Sequence, residues 1–266
     1  MTSQTSSKGV ALVTGASAGI GAVYADRLAQ RGHDLILVAR DAAKLGAVAD
    51  HIRKSTGRKV ELLQADLSDK EDLLRVEKRL RSDESITLLV NNAGLGATQP
   101  LLEADVDRME DMIRLNVTAL TRLTHAVAPG MVHRGKGAII NIASVVALAP
   151  DLLNGTYGGT KAFVLAFTQS LDTELSPRGI QVQAVLPGAT STNFWALSGR
   201  PVEHLPSAIV MSAEDMVDAS LVGFDRKELV TIPALPDPAD WDRLDAARKA
   251  LAPNLSRAQA AARYGI

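Results

Sequence analysis

The chain has 266 residues, of which 46% are hydrophobic and 22% charged, a composition typical of a globular protein with a sizeable core. Its formal charge of −1 gives no electrostatic reason to expect nucleic acid or an anionic membrane as a partner. There is no cysteine, and the histidines lack HExxH-type spacing, so disulfides, thiol catalysis and a metal site are not expected. The polar start, without a signal-like apolar run, and the absence of a run long enough to span a membrane predict a cytoplasmic protein.

Apolar, strand-like runs alternate with helical patterns along the chain. Strands are predicted at Val10–Thr14, Leu35–Ala39, Val60–Ala65, Ile86–Val90, Ala138–Ser144, Ile180–Leu186 and, as a seventh, Leu229–Pro233. Helices are predicted over about residues 19–31, 42–55, 69–81, 106–133 and 156–175. Because the strands are continuously apolar, they should be buried on both faces, as in a parallel sheet. The sequence therefore predicts an α/β fold with a doubly wound parallel sheet of about seven strands and helices on both faces, in one domain over residues 1–266.

Glycines follow the first strand in the stretch "TGASAGIG", where Gly15, Gly19 and Gly21 lead into a helix. Ligands in such sheets bind beyond the carboxyl ends of the strands. Glycines there let the backbone approach a pyrophosphate, which the free N–H groups and dipole of a helix N-terminus attract. The spacing is G-x3-G-x-G, and a tight turn without a ligand is the alternative.

The second strand ends in Ala39, followed by Arg40. A dinucleotide fold that prefers NAD usually has an acid here to hold the ribose hydroxyls. An arginine instead offers charge-assisted hydrogen bonds to a 2′-phosphate, which favours NADP over NAD. A solvated surface arginine is the alternative.

Polar residues also follow the third and fourth strands. Asp66 can accept a hydrogen bond from an adenine amino group, or it can be a plain turn residue, and the sequence leaves both open. The "NNAG" stretch, residues 91–94, supplies two amides and a glycine that can satisfy loop backbone beside a ligand, although asparagines are also common in ordinary turns.

The candidate chemistry lies at the end of the fifth predicted strand and in the helix that follows it. The residues are Ser144, Tyr157 and Lys161. Tyr157 and Lys161 are four residues apart, so they share one face of a helix. Moving a tyrosine pKa from about 10 towards 7 requires roughly 4 kcal/mol, and one ammonium at about 4 Å supplies about that much at an effective dielectric near 20. Lys161 would then make Tyr157 a proton donor and acceptor near neutral pH, while Ser144 holds the substrate oxygen.

Together these motifs resemble the classical short-chain dehydrogenase/reductase family. "TGASAGIG", "NNAG", Asn116 in "RLNVTAL", Ser144, "YGGTK" and "PGATST" occur in the family's order and spacing over about residues 9–195. The resemblance implies a Rossmann-type fold, a nicotinamide cofactor and an Asn–Ser–Tyr–Lys tetrad of Asn116, Ser144, Tyr157 and Lys161. It also implies a small-molecule carbonyl or alcohol as substrate and a homodimer or homotetramer.

The resemblance further implies a role for each site residue. Tyr157 is the general acid in carbonyl reduction, Lys161 also bonds the nicotinamide ribose, Ser144 orients the substrate oxygen, and Asn116 supports a water next to Lys161. The residues expected at the cofactor, besides Tyr157 and Lys161, are Gly15, Ser17, Ala18, Gly19, Ile20, Gly21, Arg40, Asp66, Leu67, Asn92, Ala93, Gly94, Pro187, Gly188, Thr190 and Thr192.

Ala18 departs from the family pattern, because many NADP-preferring relatives carry a Lys or Arg there. Preference for NADP(H) therefore depends on Arg40, with Ser17 assisting. A second departure is the C-terminal extension, residues 237–266, where Asp237 is a candidate helix cap before Trp241, Leu244 and Leu251. A helix packed on the domain's own surface and a subunit contact are its two interpretations.

Residues 193–213 occupy the place of the family's substrate loop. An apolar lid is expected from Phe194, Trp195, Leu197, Leu205 and Ile209, with Arg200, Glu203 and His204 as polar contacts or as solvated loop residues. Such a lid suits a hydrophobic ketone, aldehyde or 3-oxoacyl group. The expected function is hydride transfer between NADP(H) and such a carbonyl. The alternative is a non-catalytic NADP(H)-binding regulator on the same fold.

Overall fold

A computed structural model describes residues 7–266. The polar start on which the expectation about a signal peptide depends lies largely outside these residues. The chain divides into two compact units, at residues 1–233 and 234–266. The single-domain assignment therefore stays a prediction.

The first unit contains one parallel sheet of seven strands in the order β3-β2-β1-β4-β5-β6-β7. The strands are β1 (Val10–Thr14), β2 (Asp34–Ala39), β3 (Val60–Gln64), β4 (Ile86–Asn91), β5 (Gly137–Ile142), β6 (Ile180–Val185) and β7 (Val230–Thr231). The order reverses between β1 and β4, which creates a crevice at the carboxyl ends of the strands. The predicted fold class is confirmed.

Helices cover both faces of this sheet. They are α1 (Gly19–Gln30), α2 (Ala42–Thr56), α3 (Lys70–Ser82), α4 (Val106–Ile113), α5 (Leu120–Arg134), α6 (Gly155–Leu175), α7 (Phe194–Leu197) and α8 (Ala213–Asp225). One core contains α1, α2 and α8, with Tyr24, Ile52 and Met216 fully buried against the sheet. The other contains α3, α5 and α6. Burying one such large side chain contributes about 1.5–3 kcal/mol to the free energy of folding. The two cores therefore stabilise the packing of the helices on the two faces of the sheet.

The long helix predicted over residues 106–133 is interrupted. A π-helical segment, Arg114–Ala119, separates α4 from α5. A π-helical turn inserts one extra residue and rotates the following turn, and such segments are frequent at functional sites. The helix α8 was not expected from the sequence.

The second unit consists of helix α9 (Pro238–Ala250) and short turns. The carboxylate of Asp237 accepts a hydrogen bond from the N–H of Ala239 at 2.9 Å, so the predicted cap is present. Ion pairs one turn apart, such as Arg248–Asp245 at 2.7 Å, add local stability.

Candidate active site

The glycine loop after β1, residues 15–21, has a backbone geometry that lets a ligand approach the main chain closely. Gly15 and Gly19 have φ of +66° and +53°, a region that favours glycine. A Cβ on Gly21 would lie 2.3 Å from the carbonyl oxygen of Gly15. Ala18 is the extended N-cap of α1 and is exposed, Ser17 and Ile20 are half-buried, and the loop ends at the free N–H groups of the helix. These features fit a dinucleotide pyrophosphate.

The loop after β4 braces the glycine loop. The Asn92 amide donates to the carbonyl oxygens of Thr14 at 2.9 Å and of Gly15 at 3.3 Å. The N–H groups of Asn92 and Ala93 both donate to the hydroxyl of Thr14, each at 3.0 Å. A Cβ on Gly94 would lie 3.1 Å from Oδ1 of Asn116. These hydrogen bonds satisfy loop backbone at the crevice, as the "NNAG" motif suggested.

The loop after β6 closes the same crevice from the other side. The carbonyl oxygen of Pro187 accepts from the N–H of Val145 at 3.0 Å, which joins this loop to the one after β5. A Cβ on Gly19 would lie 3.0 Å from the side chain of Thr192. The Thr190 hydroxyl bonds the carbonyl of Gly188 at 3.2 Å. Residues from the first and sixth strand ends therefore meet at one place.

The residues expected at the adenosine end lie together at the ends of β2 and β3. Arg40 and Asp66 form an ion pair at 3.8 Å, and both side chains are exposed. The other carboxylate oxygen of Asp66 accepts from the N–H of Ser68 at 2.9 Å. Asp66 therefore has a turn role as well as the ion pair with Arg40. A cavity of about 430 Å³ adjoins them and is lined in addition by Arg75, which sequence reasoning missed. Leu67 is buried in the core beside this loop.

Tyr157 lies on the first turns of α6. The Asn154 side chain caps this helix by accepting from the N–H groups of Thr156 at 2.9 Å and Tyr157 at 3.3 Å. Asn154 is a second residue that sequence reasoning missed, although an Asn three residues before the tyrosine is a recognisable N-cap signal. The Tyr157 side chain is buried and interacts with the hydroxyl of Ser144.

Lys161 follows Tyr157 by one turn and points into the same site. Its Nζ donates to the carbonyl oxygen of Ile142, at the end of β5, at 2.8 Å. Nζ also lies 5.9 Å from the centroid of the Tyr157 ring. A Cβ on Gly94 would be 3.6 Å from Nζ. The helix spacing predicted from the sequence therefore brings the lysine and the tyrosine together.

The π-helical segment supplies Asn116. Its Nδ2 donates to the carbonyl oxygen of Leu95 at 2.9 Å and to the Thr160 hydroxyl at 3.0 Å, and its Oδ1 accepts from the N–H of Leu95 at 2.8 Å. Both amide N–H groups are therefore used within the protein. Asn116 is buried on the same side of the site as Lys161, so all four tetrad residues lie at this edge of the sheet.

The pKa values differ from the sequence expectation. Burial raises the pKa of Tyr157 to about 12, against a smaller lowering by the Ser144 hydroxyl. Burial also lowers the pKa of Lys161 to about 8. The sequence predicts that Lys161 lowers the pKa of Tyr157, whereas in the protein alone burial is the largest effect on this pKa and raises it.

The substrate-loop region contains α7, and one of its residues contacts the tetrad. The rings of Phe194 and Tyr157 lie 5.8 Å apart. A Cβ on Gly96 would lie 2.1 Å from Cζ of Phe194, so the glycine makes room for this ring. Trp195 is buried, and its Nε1 donates to the carbonyl oxygen of Thr190 at 3.0 Å.

The remaining lid candidates do not form a closed apolar cover. Leu197 and Ile209 are 71% and 59% exposed, whereas Leu205 is half-buried. Arg200, Glu203 and His204 are exposed, and Arg200 bonds the carbonyl oxygen of His204 at 3.4 Å. These three side chains are solvated in the protein alone, and a contact with substrate stays a prediction, whereas Phe194 packs on Tyr157.

Two other kinds of site are absent from the described part of the chain. Residues 7–266 contain no cluster of His, Asp and Glu side chains arranged to hold a metal ion. Within the same residues, no helix is both long and apolar enough to cross a membrane.

Comparison with known proteins identifies the family. Residues 9–201 match the family described as short chain dehydrogenase. A short-chain dehydrogenase from Sphingobium yanoikuyae, solved in complex with NADPH, is 53% identical with a TM-score of 0.92, over 95% of this chain and 98% of that one. A bulky-bulky ketone specific alcohol dehydrogenase from Comamonas testosteroni is 47% identical with a TM-score of 0.89, over 96% and 98% of the two chains.

Curated relatives are more distant. A very-long-chain 3-oxoacyl-CoA reductase from Anas platyrhynchos is 37% identical over 71% of this chain and 62% of its own length. The chain thus spans 57% to 62% of the length of the curated relatives from Gallus gallus and Anas platyrhynchos that it matches. With the family match covering most of the sequence, the resemblance is confirmed: this chain belongs to the short chain dehydrogenase family of oxidoreductases.

Proposed function

We propose that this chain is an NADPH-dependent carbonyl reductase that acts on hydrophobic ketones, with Tyr157 as the general acid. One observation carries the proposal: a buried phenol lies beside a serine hydroxyl and a buried lysine, next to Gly94 in the loop after β4. A protein that only bound a dinucleotide would not require this arrangement.

The residues present fit NADPH. The positive φ of Gly15 and Gly19 and the crowded position of Gly21 fit a backbone that approaches a pyrophosphate. Arg40 lies where a 2′-phosphate is expected, and its guanidinium is exposed. Position 39, where an NAD-preferring fold usually has an acid, holds an alanine. The relative from Sphingobium yanoikuyae, which matches almost the whole chain, was solved with NADPH.

In the proposed reaction, NADPH, when bound, supplies the hydride that reaches the carbonyl carbon. Tyr157 donates its phenolic proton to the carbonyl oxygen as the C–O double bond is lost, which leaves an alcohol and a phenolate. Ser144 donates a hydrogen bond to the same oxygen and fixes its position. Lys161 stabilises the phenolate by its charge and can return a proton to it.

The raised pKa of Tyr157 keeps the phenol protonated in the free protein. At neutral pH a phenol with a pKa of about 12 stays protonated, so it is ready to act as an acid. Alcohol oxidation requires the phenolate as a base, and burial disfavours that form. At neutral pH the free protein therefore holds Tyr157 in the form that a general acid in carbonyl reduction requires.

The substrate class follows from the side chains around Tyr157. Phe194, Val146 and Leu153 pack with the tyrosine in one apolar cluster. A hydrophobic substituent of the substrate that is buried against this apolar surface stabilises the complex by about 25 cal/mol for each Å² buried. The relative from Comamonas testosteroni is named for bulky-bulky ketones, which supports a ketone with large groups on both sides.

The test is an NADPH-oxidation screen with purified protein. The panel should contain bulky aromatic ketones, small aliphatic ketones, aldehydes and 3-oxoacyl thioesters, with Tyr157→Phe as the inactive control. We expect turnover of bulky ketones with the highest kcat/KM. Tight NADPH binding without turnover of any panel member would contradict the proposal and favour a dinucleotide-binding regulator.

A further inference from the structure

Thr160, the residue before Lys161, connects three members of the tetrad. Its hydroxyl donates to the carbonyl oxygen of Tyr157 at 2.8 Å, one turn back along α6. The hydroxyl oxygen of Thr160 itself accepts from Nδ2 of Asn116 at 3.0 Å. Thr160 is buried, with 3% of its surface exposed, so water does not compete for these hydrogen bonds.

The direction of each hydrogen bond is fixed. A threonine hydroxyl has one proton and two lone pairs. A carbonyl oxygen can only accept, so the proton of Thr160 points to Tyr157. An amide nitrogen can only donate, so a lone pair of Thr160 faces Asn116. The N–H and carbonyl groups of Leu95 set which way the amide of Asn116 turns, and the Thr160 hydroxyl adds the contact that ties this amide to α6.

The amide orientation matters because it borders Lys161. A Cβ on Gly94 would lie 3.1 Å from Oδ1 of Asn116 and 3.6 Å from Nζ of Lys161. Both atoms therefore lie on the side of Gly94 where a side chain would be. Asn116 itself belongs to the π-helical segment, whereas Lys161 and Tyr157 belong to α6. Apart from this hydrogen bond, their relative position depends on apolar packing.

We propose that Thr160 is a positioning residue for the tetrad: through one hydroxyl it fixes the π-helical segment to α6 and holds Asn116 in place beside Lys161. The inference rests on the proposed function, because it assigns Thr160 a role in that reaction. In the proposed reaction Thr160 contacts neither the substrate oxygen nor the transferred hydride. It acts through Asn116, which borders Lys161, the residue that returns a proton to Tyr157.

A closely matched control lies two turns further along the same helix. The Thr168 hydroxyl donates to the carbonyl oxygen of Val164 at 2.7 Å and accepts from Nδ2 of Asn141 at 2.9 Å. Asn141 and Thr168 are fully buried. Thr160→Val and Thr168→Val therefore make the same chemical change, a buried asparagine that loses a threonine acceptor. They differ in their distance from Lys161, since Thr168 is about 10 Å along the helix axis from it.

The experiment measures kcat, KM, the Kd for NADPH and the melting temperature of Thr160→Val, Thr160→Ser and Thr168→Val. We expect similar losses of melting temperature in the two valine variants. For Thr160→Val alone we expect kcat to fall at least about 10-fold, because a misplacement of about 1 Å at a reacting centre costs up to about 100-fold. The Kd for NADPH should stay within about twofold, and Thr160→Ser, which keeps the hydroxyl, should recover most of kcat.

The outcomes separate this inference from the proposed function. If the parent protein turns over ketones and the two valine variants have equal kcat, Thr160 has a structural role alone and the inference is wrong. A loss of kcat that Thr160→Ser fails to recover also overturns it. If the parent protein binds NADPH and reduces no ketone, the proposed function fails and the role of Thr160 in catalysis fails with it.

Discussion

Lys161 should lower the stability of this protein at neutral pH, and its replacement by methionine should raise it. The lysine is buried, and Nζ makes a hydrogen bond to the carbonyl oxygen of Ile142. No ion pair with a carboxylate is seen at this amine among the described residues. Lys161→Met keeps the length and apolar stem of the side chain and removes the charge.

The magnitude follows from the pKa. Burial lowers the pKa of Lys161 from 10.5 to about 8. One pKa unit corresponds to about 1.4 kcal/mol, so carrying the charge into the folded state costs about 3 kcal/mol. The substitution also leaves the Ile142 carbonyl without its donor, which costs about 1 kcal/mol. Lys161→Met should therefore gain about 2 kcal/mol at pH 7, or roughly 5 °C in Tm for a chain of this size.

The pH dependence has a definite sign. Below pH 8 the lysine is protonated in the folded and unfolded states, so the full penalty applies. Between pH 8 and 10.5 the folded protein releases the proton while the unfolded chain keeps it, and the penalty of the parent protein declines as the pH rises. The advantage of Lys161→Met should thus fall from about 2 kcal/mol at pH 7 to near zero at pH 10.

Urea unfolding and calorimetry at pH 7, 9 and 10 provide the measurement. Lys136→Met is the control, because Lys136 is exposed and its replacement should change stability by less than about 0.5 kcal/mol. A Lys161→Met variant that is less stable than the parent at pH 7 would refute the reasoning, and so would a gain that does not change with pH. The variant should also lose activity, since a site residue that costs stability is retained for function.

Three further predictions concern the cofactor, the acid and the lid. Ala39→Asp combined with Arg40→Leu should reverse an expected preference for NADPH of about 10- to 30-fold, since an exposed charge-assisted hydrogen bond contributes about 1.5–2 kcal/mol; equal Kd values for NADPH and NADH in the parent would contradict this. Tyr157→Phe should lower kcat at least about 100-fold without changing the Kd for NADPH, and near-full activity would remove Tyr157 as the acid. Gly96→Ala should displace the Phe194 ring and lower kcat/KM for bulky ketones; in a Phe194→Ala background the loss should be smaller but not absent, because the Ser198 hydroxyl still lies 2.8 Å from that Cβ.

Much of the fold and the relative placement of the tetrad could be predicted from the sequence. Continuous apolar runs marked the strands, and a strand that ends at a known residue places whatever follows it at the crevice. The separation of Tyr157 and Lys161 by four residues fixes their common face on α6 because helix geometry is local. Gly21 could be read in the same way, since a glycine in the first turn of the helix that follows β1 indicates a close approach of backbone.

Other features depend on tertiary contacts and gave no local signal. The π-helical segment around Asn116 lies in a stretch whose pattern is that of an ordinary helix, and it is accompanied by hydrogen bonds to Leu95 and Thr160 from distant parts of the chain. Arg75 reaches the cavity beside Arg40 because α3 packs next to the end of β3. Neither contact can be read from spacing along the sequence.

The pKa values show most clearly what the sequence could not provide. The charge of Lys161 on Tyr157 can be estimated from helix spacing, but the cost of burying both groups cannot, and that cost is the larger effect. It reverses the expected order of the two groups: the phenol, with a pKa of about 12, is the weaker acid, and the ammonium, with a pKa of about 8, is the stronger. In the free protein Lys161 is therefore the group beside Tyr157 that releases its proton more readily. In the proposed reaction Tyr157 becomes a phenolate when it protonates the carbonyl oxygen, and Lys161 is placed to restore it. Burial thus keeps Tyr157 protonated at neutral pH, which is the form that a general acid in carbonyl reduction requires.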